Sequence, residues 1–115
     1  MVADDDQDIL ELVSALLRGS GYRVQMSYNG DGLDELASGA LPDLLLLDIN
    51  MRHGRNGKEI ATKLKASQTT QNLPIILISA NYDIEESVRQ SGADGYVRKP
   101  FNVKQLLDMV RQFVG

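Results

Sequence analysis

The chain has 115 residues, about the size of one domain, and a net charge of −4 with no basic block, so neither a second domain nor direct nucleic-acid binding is expected. It is 43% apolar and 24% charged, with no cysteine. One real core is possible, while disorder, disulfides, thiolate metal sites and a cysteine nucleophile are not expected. The longest apolar runs are too short to cross a bilayer and no secretory signal opens the chain, so no membrane contact and a cytoplasmic setting are expected.

In chain order, "MVA" is a very short apolar strand that runs into "DDDQD". "QDILELVSALLRG" has helical spacing, with Ile9, Val13 and Leu16 on one face, Leu12 beside them and Gly19 as a stop. Tyr22 to Tyr28 alternates as a strand, and a short helix is predicted between Asn29 and Gly39. "DLLLLD" is a continuous apolar run, as in a strand covered on both faces. A helix over 57–66, a second buried strand "PIILIS", a weakly amphipathic helix "DIEESVRQSG" and a strand "GYVRKP" follow. The last helix carries Leu106, Met109, Val110 and Phe113 as a stripe, with Asn102 and Gln105 spaced as a capping box. The order is (βα)₅, which implies a parallel sheet with helices on both sides, a three-layer α/β/α sandwich.

In such sheets ligands bind beyond the carboxyl ends of the strands. The predicted ends carry Asp4 and Asp5, Asp48, Ser79 and Lys99. Singly, each has an ordinary use: an acidic turn, a turn hydroxyl, a snorkelling lysine, or an N-cap in the case of Asp6. Together they form a cleft in which three carboxylates cannot all stay ionised without compensation. Mg²⁺ supplies it, and Lys99 adds a counter-charge. Asp48, at the end of the most apolar strand, is then placed to take a phosphoryl group as an acyl phosphate, with Ser79 and Lys99 holding its oxygens.

These residues, in the runs "DDD" at 4–6, "LLLLDINM" at 44–51, "PIILISA" at 74–80 and "GADGYVRKPF" at 92–101, resemble the receiver domain of two-component response regulators over essentially the whole chain, 1–115. The resemblance implies a flavodoxin-like sheet of order 2-1-3-4-5, here with a short first strand. It implies Asp48 as phosphoacceptor, Asp5 as direct Mg²⁺ ligand, Asp4 acting through water and Asn50 offering its backbone carbonyl. Lys99 would pair with the phosphate and Ser79 would supply the hydroxyl. Tyr96 would be the aromatic switch, and Asn50 and Asn81 would tune the lifetime of the signal. Lys99–Pro100 is expected to be cis. The implied activity is not that of an enzyme but of a phosphoryl acceptor assisting its own phosphorylation and dephosphorylation. A sensor histidine kinase or phosphotransfer protein would be the donor. The signal would leave through the fourth predicted helix, the fifth strand and the fifth helix, toward an output domain or target the sequence does not reveal, from a monomer or a phosphorylation-dependent dimer.

Two departures stand out. The first strand is a stub, and Arg52 stands where the family tends to have proline, in a loop one residue longer that also carries His53 and Arg55. An interaction module of the same fold that works without phosphorylation is the alternative. A Mg²⁺ phosphohydrolase would want an acid two residues after Asp48, where Asn50 stands. A mononucleotide binder would not place "DDDQD" after its first strand without a metal.

Overall fold

The apolar runs of the sequence pair side by side as the inner strands of one sheet. The computed structural model describes residues 1–28, 32, 33, 36, 39, 41–51 and 56–114. Its elements are β1 (Val2–Asp4), α1 (Gln7–Gly19), β2 (Met26–Tyr28), β3 (Leu45–Asp48), α2 (Gly57–Ala66), β4 (Ile75–Ser79), α3 (Ile84–Ser91), β5 (Gly95–Arg98) and α4 (Val103–Phe113). The strands are all parallel, in the order β2-β1-β3-β4-β5. This is the flavodoxin-like order that the resemblance implies. The helix expected between Asn29 and Gly39 falls largely outside the described residues, as do Arg52, His53 and Arg55. Hence α3 and α4 are the fourth and fifth helices of the sequence reading.

Strand side chains alternate between faces, and each face has its own core. Ala3, Leu45, Leu47, Ile75 and Leu77 pack with Ala61 and Leu64 of α2 and Ile84 of α3. Val2, Leu46, Ile76, Ile78 and Val97 pack with Leu10, Val13 and Leu17 of α1 and Leu106 and Val110 of α4. That is why β3 and β4 read as unbroken apolar runs. The helix signals also hold. Asp6 caps α1, accepting from the N–H groups of Asp8 at 3.0 Å and Ile9 at 3.3 Å. Asn102 and Gln105 form the reciprocal capping box of α4, and α3 ends on Gly92 at φ 80°.

Two expectations are corrected. On α1, Val13 faces the sheet as expected and Ile9 and Leu16 pack half-buried against the same core, but Leu10, Ser14 and Leu17 are buried beside it while Leu12 is exposed. Helical spacing allows either Leu12 or Leu17 beside Val13, and the neighbouring strands choose between them. The strand expected from Tyr22 forms only at Met26–Tyr28. Its partner begins at Val2, and the bond from the Val2 N–H to the Gln25 carbonyl (2.9 Å) marks the start of the ladder. An alternating pattern without a neighbouring strand has nothing to bond to.

Candidate functional site

In a parallel sheet all carboxyl ends share one edge. Here β1 ends at Asp4, β3 at Asp48 and β4 at Ser79, with Lys99 directly after β5. Asp4, Asp5 and Asp48 each bring a carboxylate oxygen to within 4.8 Å of the others. The Lys99 Nζ lies 3.3 Å from Asp48 Oδ1 and 3.6 Å from Asp4 Oδ2. Four of the sequence candidates, drawn from three separate stretches of chain, therefore meet at one point.

The consecutive aspartates divide their work. Asp6 is committed to the helix, and its own N–H donates to Asp4 Oδ1 at 2.9 Å. Asp4 and Asp48 are 1% and 3% exposed, whereas Asp5 is half-buried at the mouth. Burial penalises a carboxylate, and a second carboxylate adds to the penalty. Burial, and then the charge of Asp4, push the Asp48 carboxyl up to about 7 against the pull of Lys99. The Asp4 carboxyl is also raised, chiefly by burial, although the Asp6 N–H and Lys99 oppose this. One ammonium is shared between two buried acids. The donor set consists of hard oxygens with excess negative charge, which fits a hard, oxygen-liganded divalent cation held by Asp4, Asp5 and Asp48.

Backbone contacts hold the cluster. The Lys99 N–H donates to the Ser79 carbonyl (2.9 Å) and the Ile49 N–H to the Ile78 carbonyl (3.0 Å). Lys99–Pro100 is cis, as expected. The Gly57 N–H donates to the Ile49 carbonyl at 2.7 Å. A Cβ at Gly57 would stand 2.2 Å from the Asp48 carbonyl oxygen, so only glycine lets α2 start this close to the end of β3. Ser79 is buried, and its Oγ accepts the Asn81 N–H at 3.0 Å. Asn50 and Asn81 are exposed at this edge, and Asn50 is bridged to Asn56.

Tyr96 is set apart from the cluster. Its ring is half-buried against the α2 and α3 side of the sheet. Its hydroxyl donates at the surface to Glu85 Oε1 at 2.6 Å. Glu85 has no counterpart in the sequence reading. An exposed acid in the first turn of a helix looks like any other, and its contact is made eleven residues away across the fold.

The family model of the response regulator receiver domain matches residues 1–111. The DNA-binding dual master transcriptional regulator RpaA of Synechocystis sp. is 34% identical over 113 residues, covering 96% of this chain and 46% of that protein. The DNA-binding response regulator MtrA of Mycolicibacterium smegmatis is 37% identical over 115 residues, covering 96% of this chain and 48% of that protein. The chain thus spans about half the length of these curated relatives. Among solved structures, the receiver domain of NtrX from Brucella abortus superimposes with a TM-score of 0.84 at 25% identity, covering 98% of this chain and 95% of that one. No helix among the described residues is long and apolar enough to cross a membrane.

Proposed function

The chain belongs to the response regulator receiver domain family, and from that premise we propose that it accepts a phosphoryl group on Asp48 from a phosphohistidine protein. The observation that carries the reading is the Asp4–Asp5–Asp48 cluster within 4.8 Å, with Lys99 at 3.3 Å from Asp48. An Asp48 oxygen attacks phosphorus. The bond from phosphorus to the donor imidazole nitrogen breaks, and its electron pair stays on that nitrogen, which takes a proton. Attack needs the carboxylate form, which a carboxyl raised to about 7 only partly supplies near neutrality. The Lys99 ammonium draws it toward the anion and pairs with an oxygen of the incoming group. Asp4, Asp5 and Asp48 would hold Mg²⁺, with Asn50 offering its backbone carbonyl. Mg²⁺ would supply charge neutralisation for the phosphoryl oxygens.

The added charge, about −1.5 to −2 by analogy with other phosphorylated oxygens, draws the Ser79 hydroxyl inward from its bond to the Asn81 N–H. Tyr96 then follows into the space behind Ser79, and the surface of α3, β5 and α4 changes. Water later hydrolyses the acyl phosphate, with Asn50 and Asn81 tuning its access. The test is incubation with acetyl phosphate and Mg²⁺, followed by mapping of the modified residue. Label on Asp48, absent in Asp48→Asn and absent without Mg²⁺, is expected. Label on another residue, or none, overturns the reading, and the latter leaves a phosphorylation-independent interaction module.

A further inference from the structure

The Tyr96 hydroxyl is bonded to an atom that has no role in the proposal above. That atom, Glu85 Oε1, accepts the Tyr96 hydroxyl at 2.6 Å and lies 4.0 Å from Arg98 Nη2. The guanidinium of Arg98 in turn stands over the Tyr96 ring, 5.7 Å from its centroid. Tyr96 and Arg98 are two apart on β5 and so share a face of the strand. Glu85 follows Ile84, which is fully buried, so the start of α3 is anchored beside them. The next acid, Glu86, is engaged along its own helix by Arg89 and Gln90.

We propose that Glu85 is a latch, with Arg98 as its clamp, that holds Tyr96 outward and so sets how readily this receiver enters its signalling state. The inference rests on the switch role given to Tyr96 above. Moving the Tyr96 hydroxyl inward breaks its bond to Glu85, so the latch contributes to one state only, as a conformational bias requires. Arg98 secures it from two sides, by attracting the carboxylate and by covering the ring. The phenol is consistent with this, since the Glu85 bond raises its proton affinity above the ordinary tyrosine value. The bias is small by construction. Glu85 and Arg98 side chains are 68% and 49% exposed, and solvent screens such pairs. A latch of this strength tunes a switch without locking it.

Two measurements test it. In the first, the phenol of Tyr96 is titrated in the unphosphorylated protein, with Tyr96→Phe identifying its signal. Glu85→Ala should bring its midpoint down toward that of ordinary tyrosine. In the second, beryllofluoride with Mg²⁺ serves as the phosphoryl mimic. Glu85→Ala should bind it about two- to fivefold more tightly than the parent chain, Arg98→Ala should show a smaller gain, and Glu85→Ala should add nothing in a Tyr96→Phe background. A gain of the same size in both backgrounds, or an unmoved Tyr96 midpoint, overturns the latch. If the parent chain itself fails to bind beryllofluoride, the phosphoacceptor reading falls, while the titration still decides whether Glu85 holds Tyr96.

Discussion

The two edges of the sheet each carry a lysine set against aspartate, and they are built to opposite ends. At the edge where β4 begins, Lys65 Nζ meets Asp94 Oδ2 at 2.7 Å and donates to the carbonyls of Leu73 at 2.7 Å and Gln71 at 3.2 Å. The same Asp94 oxygen accepts the Ile75 N–H at 2.8 Å. One cation faces one anion, and backbone groups take up the remaining capacity, so α2, β4 and β5 are stapled together. At the opposite edge, Lys99 stands between Asp4 and Asp48 at 3.6 and 3.3 Å, with Asp5 close by. There the anions outnumber the cation and two of them are buried. The balanced edge holds the fold together. The unbalanced edge carries excess negative charge at the expense of stability, as the proposed cation and phosphoryl site would require.

The sharpest way to break this comparison is at Gly57. Its Cβ position lies 2.2 Å from the Asp48 carbonyl oxygen, and neither backbone can yield alone. Gly57→Ala should destabilise the protein by about 3 kcal/mol in urea unfolding and slow acetyl phosphate labelling along with it. Unchanged unfolding would mean that the two backbones are not locked together. Next in size is Asp94→Ala at the balanced edge, which leaves Lys65 and the Ile75 N–H without their carboxylate. A loss of about 1–3 kcal/mol is expected, and a gain would show that this edge is not a staple.

Asp48→Asn should act with the opposite sign. The folded protein holds the Asp48 carboxyl at about 7, well above the ordinary aspartate value of 3.8, so it binds a proton that the unfolded chain has already released. Stability from that proton is present at acid pH and lost as pH rises through about 7. In metal-free buffer, Asp48→Asn should therefore be more stable than the parent by about 1–3 kcal/mol at pH 8, and the advantage should shrink toward pH 5. An advantage that does not vary with pH would remove the account of frustrated charge. Adding Mg²⁺ should stabilise the parent and not Asp48→Asn.

The smallest effect lies between the edges. Ser14 is fully buried in α1, and its Oγ has no hydrogen-bond partner among the described residues. Ser14→Ala should gain up to about 1 kcal/mol in the same unfolding measurement. A loss would reveal a partner for that hydroxyl.

Much of the site was legible because it is assembled from strand ends. Once "LLLLD" and "PIILIS" are read as buried parallel strands, Asp48 and Ser79 must share an edge with Asp4, Asp5 and Lys99. Asp6 could be read as a cap because a cap is a local arrangement. Glu85 could not be read as a partner of Tyr96, since no spacing along the chain encodes a contact between a helix start and a strand next to it. The unequal environments of the consecutive aspartates were hidden for the same reason.

By itself the sequence determined the kind and order of the elements among the described residues, the strands covered on both faces and the helix caps. Each of these depends on hydrophobic period and on bonds within a few residues. Tertiary structure alone decided that Leu10 and Leu17 rather than Leu12 join Val13 against the sheet, that β2 starts only at Met26, and that Tyr96 rests on Glu85. The reason is physical: period says how much of an element is buried, but the distance between two side chains on different elements is set by how those backbones pack. Whether a lysine and its aspartates come out balanced, as at Asp94, or in conflict, as at Asp48, is a property of that packing.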